Sequence, residues 1–325
     1  MIKVGIIGGS GYTAGELLRL LQNHPKATVD FVYSTTNAGK PIATVHQDLL
    51  GETDLEFTGT INPEVNVVFL CLGHGKSIDF LSKNTFAQHT RIIDLGNDFR
   101  LTKDALFGDK QFVYGLPELN KEAILNAHYI ANPGCFATAI QLALLPLAQH
   151  NALTDSLHIN ATTGSTGAGV QPSATGHHSY RNNNMSHYKA FNHQHLGEIK
   201  QNLAQVQEGF NEDVLFIPNR GDFTRGIFAT VYMKTDLDLE TVYQWYQDYY
   251  KDHVFVTVTK DAIHLKQVVQ TNKNILSIEK HGNQILITSI IDNLIKGASG
   301  QAIHNMNLLF GLEETTGLKL KSGNF

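Results

Sequence analysis

Ile2-Lys3-Val4-Gly5-Ile6-Ile7-Gly8-Gly9-Ser10-Gly11-Tyr12-Thr13-Ala14-Gly15-Glu16-Leu17 opens the chain, and its order of residue types sets the architecture. Lys3 to Ile7 is a short apolar run, Gly8 to Gly11 a glycine turn, and Glu16 to Gln22 a helical pattern, with a second strand at Val29 to Tyr33. Strand, tight turn, helix and strand make a βαβ unit. Within it, Gly9-Ser10-Gly11-Tyr12-Thr13-Ala14 fits the dinucleotide fingerprint, with alanine as the third small residue. Glycines let backbone amides approach a pyrophosphate, and the first N–H groups of a helix favour its charge. A plain glycine-rich βα turn can carry the same letters; the position after a strand and before a helix is what the mechanism requires. Gly8, Gly9, Ser10, Gly11, Tyr12 and Thr13 are the expected cradle. The second strand runs into Tyr33-Ser34-Thr35-Thr36-Asn37-Ala38-Gly39-Lys40, without the acid that holds the ribose hydroxyls of NAD. Hydroxyls and a cation suit a 2′-phosphate, so Ser34, Thr35 and Lys40 point to NADP(H).

Apolar runs at 67–72, 91–95 and 129–131 continue the alternation of a Rossmann-type, doubly wound parallel sheet. From Ser156 the pattern changes to longer β-rich runs at 157–163, 214–218, 227–234 and 254–259, with a hairpin candidate at His281-Gly282-Asn283. That predicts a second α+β domain with a mostly antiparallel sheet. Lys296-Gly297-Ala298-Ser299-Gly300 reads as a flexible turn leading into a helix that packs back on the first domain. The expected division is 1–134 with 297–325 for the cofactor and 135–296 for substrate and dimerisation; 325 residues suit two cores.

The bulk numbers narrow the function. Net charge is 25 − 30 = −5 with scattered basic residues, which argues against a nucleic-acid or membrane surface and for a small-molecule partner. The N-terminal residues lack a signal-peptide layout and no long apolar span follows, so the expected location is cytoplasmic. Sixteen histidines invite a metal reading, but no His-Glu-x-x-His appears and the two cysteines have no ligand spacing, so no metal is expected.

Cys135 is the most telling thiol. In Ala131-Asn132-Pro133-Gly134-Cys135-Phe136, Pro133 and Gly134 break a strand and 136–147 reads as a helix, so the sulfur meets helix-start amides that favour a thiolate. Cys71, inside Val67-Val68-Phe69-Leu70-Cys71-Leu72, reads instead as a small buried hydrophobe. His193-Gln194-His195-Leu196-Gly197-Glu198 precedes a helical run, and His195 and Glu198 are three residues apart, so a carboxylate can orient an imidazole for proton transfer. Of six arginines, Arg100 lies past a strand end where α/β sheets bind ligands, and Arg220 lies in a turn between strands. Either could also be a surface ion-pair partner.

These segments together resemble the N-acetyl-γ-glutamyl-phosphate reductases, a family of the aspartate-semialdehyde dehydrogenase superfamily. The carriers are Gly8 to Leu17, Asp94 to Arg100, Tyr114 to Glu118, Asn132 to Cys135, Thr163 to Gly169, His193 and His195 with Glu198, Asn219 to Gly221, and Lys296 to Gln301. The resemblance spans nearly the whole chain, and the order and spacing are its specific part. It implies Cys135 as nucleophile, His195 as acid/base with Glu198, and Arg100, Asn132 and Arg220 as substrate contacts. It also implies Gly164 and Gly167 beside the nicotinamide and Asn305 on its carboxamide. The activity implied is NADPH-dependent reduction of an acyl phosphate to a semialdehyde through a cysteine thioester, in arginine biosynthesis, by a homo-oligomer (dimer or tetramer). The nearest alternatives are aspartate-semialdehyde dehydrogenase or another phosphorylating aldehyde dehydrogenase, and, from another class, a non-catalytic dinucleotide sensor. One departure stands out: Gly197 occupies the place where the family commonly has proline.

Overall fold

The opening stretch folds as its pattern predicts, into β1 (Ile2–Ile7), α1 (Tyr12–Leu21) and β2 (Ala27–Tyr33), with β1 parallel to β2. In this computed structural model, which describes residues 1–73 and 75–323, a short β3 (Phe57–Thr58) follows. Then come β4 (Val67–Leu70), α2 (Ser77–Lys83), β5 (Arg91–Asp94), β6 (Leu106–Phe107), β7 (Lys110–Tyr114), α3 (Pro117–Leu125) and β8 (Tyr129–Ala131). The sheet order is β3-β2-β1-β4-β5-β8-β7-β6, parallel except for the β6–β7 pair. All four residues of β4 are buried, the continuous apolar run of a parallel strand covered on both faces. The order reverses at β1, between β2 and β4, which places the glycine turn at the topological switch point.

The second sheet is wound differently. It contains β9 (Leu157–Thr163), β10 (Ser186–His187), β11 (Val214–Arg220), β12 (Ile227–Lys234), β13 (Val256–Thr259), β14 (Asn274–His281) and β15 (Gln284–Ile291). Their order is β10-β11-β9-β12-β15-β14-β13, with antiparallel pairs in the centre and parallel β11–β9 and β13–β14 pairs towards the edges. Buried and open residues alternate along β12, as expected where a helix covers one face. That helix is α4 (Cys135–Gln149), buried almost all round and packed on β12 and β15, with α6 (His195–Val206) and α7 (Leu239–Tyr250) beside it. A one-turn α5 (His178–Arg181) lies in the polar segment before β10. The hairpin turn falls at Gly282-Asn283, where it was expected.

The flexible turn predicted at Lys296–Gly300 is not there. Ile295–Ser299 is a π-helical turn and Lys296 is wholly buried, followed directly by α8 (Gly300–Leu309). By contact density the chain forms two units, one of Met1–Pro133 with Ala298–Lys319, the other of Gly134–Gly297 with the tail from Leu320. The expected cofactor segment 297–325 ends at Asn324 and Phe325, which lie outside the described residues.

Candidate active site

In the first unit the glycine turn is built for close approach. Gly8 has φ +80, and a Cβ there would meet the carbonyl oxygen of Cys71 at 2.6 Å, so a side chain is excluded twice over. The N–H groups of Gly8 and Gly9 both donate to the Tyr33 carbonyl, at 3.1 and 3.0 Å. Behind the turn, His46 Nε2 donates to the Gly9 carbonyl at 2.7 Å, a brace that sequence reading missed. Gly11 is the N-cap of α1 and has no side chain to accept from the first amides, so Tyr12 and Thr13 present N–H groups suited to a pyrophosphate. After β2, Ser34 is buried with its hydroxyl 3.4 Å from that of Thr36, while Thr35 and Lys40 are exposed. No carboxylate ends β2, so this cluster fits a phosphorylated ribose.

The same unit holds a buried amide network. Asn305 Nδ2 donates to the Gly115 carbonyl (2.9 Å) and to Asn132 Oδ1 (3.1 Å), and Asn132 Nδ2 donates to the Ala298 carbonyl (3.0 Å). Asn305 Oδ1, fully buried, has no donor among the described residues, which fits an acceptor awaiting a carboxamide N–H. Asn132, expected as a substrate contact, is 1% exposed and has both ends of its amide engaged, with Asn305 and the Ala298 carbonyl. Arg100 is also buried, its Nε and Nη2 donating to the carbonyls of Asn132 (2.9 Å) and Leu95 (3.0 Å). Beside it, burial raises the Asp94 carboxyl to about 6; bonds from the Ser77 hydroxyl and Gly96 N–H and the charge of Arg100 offset part of that.

In the second unit Cys135 is the first residue of α4 and is half-buried. Gly134 before it cannot cap with a side chain; instead Glu198 Oε2, from α6, accepts the Gly134 N–H at 2.9 Å. Glu198 Oε1 lies 3.9 Å from His195 Nε2, close enough for charge pairing and too long for a hydrogen bond. The carboxylate therefore joins two jobs, tying the start of α4 to the first turn of α6 and facing the imidazole. His193 Nδ1 accepts the His195 backbone N–H at 3.2 Å, which leaves the Nε2 of a neutral His193 ring as the donor. The two rings stand edge to face at 4.6 Å, and both contact Phe136, the neighbour of Cys135.

Tyr188 completes this cluster and had no signal in the sequence. Its ring meets His193 at 5.7 Å and carries the Arg220 guanidinium at 4.7 Å. Burial, with the nearby Cys135 adding and Arg220 subtracting, pushes the phenol up to about 12, so it stays a neutral donor. Arg220 also donates to Thr175 Oγ1 at 3.1 Å, and no carboxylate pairs with it among the described residues. Gly164 follows β9, its N–H donating to the Gly226 carbonyl (2.9 Å), and Gly167 lies in the turn Ser165–Ala168. The other cysteine is chemically distinct: desolvation pushes the Cys71 thiol up to about 12, with Thr13 offsetting part of the shift.

A parallel sheet with a glycine-rich turn at its topological switch point, and a second, mixed sheet covered by a long buried helix, define a two-domain dehydrogenase of the dinucleotide-binding class. Residues 3–127 match the semialdehyde dehydrogenase NAD binding domain and residues 135–293 the semialdehyde dehydrogenase dimerisation domain, and the chain belongs to that family. Within it, the chain is 69% identical over 325 residues to the N-acetyl-gamma-glutamyl-phosphate reductase of Flavobacterium johnsoniae, and 57% identical to that of Christiangramia forsetii. Each alignment covers 100% of both chains. Among solved structures, aspartate semialdehyde dehydrogenase II of Vibrio cholerae complexed with ASA superposes with a TM-score of 0.70 at 16% identity, over 96% of this chain and 98% of that one. The Candida albicans aspartate semialdehyde dehydrogenase with NADP gives 0.70 at 15% identity, over 95% and 98%. These two share the fold.

Proposed function

We propose that this chain reduces N-acetyl-γ-glutamyl phosphate to N-acetylglutamate 5-semialdehyde with NADPH, releasing phosphate, in arginine biosynthesis. The observation that carries the reading is the position of Cys135 at the start of α4, with Glu198 and the His193–His195 pair gathered at the same helix end. The full-length likeness to reductases of that name supplies the substrate.

Cys135 Sγ, as thiolate, attacks the acyl carbon; the carbon–oxygen bond to phosphate breaks, and phosphate leaves with the electron pair. The first N–H groups of α4 stabilise the oxyanion. Bound NADPH supplies a hydride to the thioester carbonyl. His195 holds the proton taken from the thiol, lends it to the thiohemiacetal oxygen and takes it back as the carbon–sulfur bond breaks, releasing aldehyde and regenerating thiolate. Gly8 to Thr13 hold the pyrophosphate, Ser34, Thr35 and Lys40 the 2′-phosphate, and Asn305 the carboxamide, so the first unit is the cofactor domain and the second carries the thiol chemistry. Arg100 meets the leaving phosphate and Arg220, on its tyrosine platform, the substrate carboxylate. Gly164 and Gly167 line the nicotinamide side.

The chain works as a homo-oligomer in the cytoplasm. The match to a dimerisation domain and the exposed apolar side chains Val170, Tyr180, Met185 and Phe191 in one segment of the second unit support association. Among the described residues no helix is long and apolar enough to cross a membrane.

The test is a coupled assay in the reverse direction. With phosphate and NADP⁺, N-acetylglutamate semialdehyde should be oxidised and aspartate semialdehyde hardly at all; the opposite preference refutes the reading. Intact-mass analysis with acyl phosphate but no NADPH should find an acyl adduct in the wild type and none in Cys135→Ser.

A further inference from the structure

The π-turn at Ile295–Ser299 has a specific cause and a specific neighbour. Asp292, wholly buried, precedes it, and its Oδ1 accepts from the N–H groups of Leu294 (2.8 Å) and Ile295 (3.1 Å). Its Oδ2 accepts from the Gln270 N–H (2.6 Å), and the Arg225 guanidinium grips both oxygens, Nε to Oδ2 at 3.1 Å and Nη2 to Oδ1 at 3.2 Å. The carbonyl of Asp292 accepts the Gly297 N–H at 2.9 Å, the five-residue step that makes the turn π rather than α. Gly297 then lies against the nucleophile: a Cβ on it would stand 2.7 Å from Cys135 Cβ and 3.1 Å from Cys135 Cα. Asn293 locks the same place from the other side, its Oδ1 accepting from Gly226 N–H (2.6 Å) and its Nδ2 donating to Thr166 Oγ1 (3.1 Å).

A buried ion pair is a poor device for stability, because desolvation cancels much of its attraction; its best use is to fix one arrangement among several. Here the competing arrangement is an α-helical turn, which would rotate Gly297 away and bring a residue with a side chain against the Cα and Cβ of Cys135. We propose that Asp292, held by Arg225, is a positioning residue for the Cys135 thiol, acting through the π-turn that seats Gly297 against it. The pair acts on the seat of the Cys135 Cα and Cβ and is not itself a catalytic group. The proposal rests on Cys135 being the nucleophile of the function above.

Two full-length variants test it: Arg225→Lys, which keeps the charge and loses the two-pronged grip, and Asp292→Asn/Arg225→Met, which removes the buried carboxylate and its half-buried partner charge together and so leaves neither unpaired. The readouts are the pH profile of Cys135 alkylation by iodoacetamide, followed by peptide mass, and kcat against KM. In both variants kcat should fall at least about fivefold with both KM values within about twofold, and alkylation of Cys135 should change by a comparable factor. Wild-type alkylation and kcat in either folded variant overturn the proposal, as does a loss confined to KM. If the double variant fails to fold, Arg225→Lys decides alone. Alkylation needs no substrate, so it judges positioning separately; turnover retained by Cys135→Ser would instead sink the functional reading.

Discussion

At the scale of single residues, two thiols in one chain invite a direct comparison. Both are half-buried, but desolvation of the sulfur holds Cys71 protonated far above neutral pH, whereas Cys135 starts a helix. Iodoacetamide near neutral pH should therefore label Cys135 and spare Cys71, with enzyme activity lost in step with the Cys135 adduct on peptide mapping; equal labelling of both would contradict the environments described. Glu198 separates two roles by substitution. Glu198→Gln keeps an acceptor for the Gly134 N–H and removes the charge facing His195, so kcat should drop on the order of tenfold with little change in melting temperature. Glu198→Ala also strips the anchor of α4 and should cost about 1–2 kcal/mol in denaturant unfolding. The pair of histidines is distinguished by pH–rate profiles: His195→Asn should lose the acid/base limb and about a hundredfold or more in kcat, and His193→Asn should retain the limb. The thiol and the His195–Glu198 spacing were legible because each is a local pattern. His46 under the glycine turn and Glu198 on Gly134 were not, since those contacts join residues 37 and 64 positions apart.

At the scale of elements, α4 shows how a helix tolerates a residue that should break it. Pro146 has no N–H, so the Leu142 carbonyl one turn earlier lacks its helical partner. Tyr250 of α7 donates its hydroxyl to that carbonyl at 2.5 Å, and Tyr246 donates to the next one, of Ala143. Tyr250→Phe should thus lower stability by about 1–3 kcal/mol, read from the denaturant midpoint, because it orphans a buried carbonyl without opening a cavity. An unchanged midpoint would mean that water reaches Leu142. The same comparison explains what sequence patterns could and could not reveal. β1, β4, β9 and β12 announced themselves through apolar runs or alternation, and the hairpin through Gly282-Asn283. β7, with Lys110 and Gln111 at its start, carries no such pattern and is held by pairing to β8. The turn after Asp292 reads as glycine-rich and loose, but its rigidity comes from Arg225 and Gln270, which no local window contains.

At the scale of the whole molecule, the first unit is closed by its last segment. Asn307 Oδ1 of α8 accepts from His24 Nε2–H (3.1 Å) and its Nδ2 donates to the carbonyls of Glu314 and Thr316, while Glu314 bonds His304 (2.8 Å) and Lys121 (2.6 Å). The His304 bond first, and Lys121 with it, hold the Glu314 carboxyl down to about 2; its contribution is complete above the ordinary carboxylate range and is lost as pH falls towards that value. Burial lowers the His24 pKa, so its neutral ring stabilises above the ordinary histidine range and its contribution is lost as pH falls below it. Both act in the same direction. Hydrogen exchange at 312–318, corrected for intrinsic rates, should therefore rise between pH 7 and 4 ahead of exchange in β4; simultaneous loss would show that the tail is not separately anchored. The unit's discontinuity also bears on how the polypeptide is made. All ten residues of α8 are buried, against α1, α3 and β5, yet Gly134–Gly297 is translated between β8 and that helix. At ~5–20 residues per second the ribosome spends roughly 8–30 s on that insert. The unit begun first is thus the one finished last, with an apolar seam open on the nascent chain until its closing helix emerges.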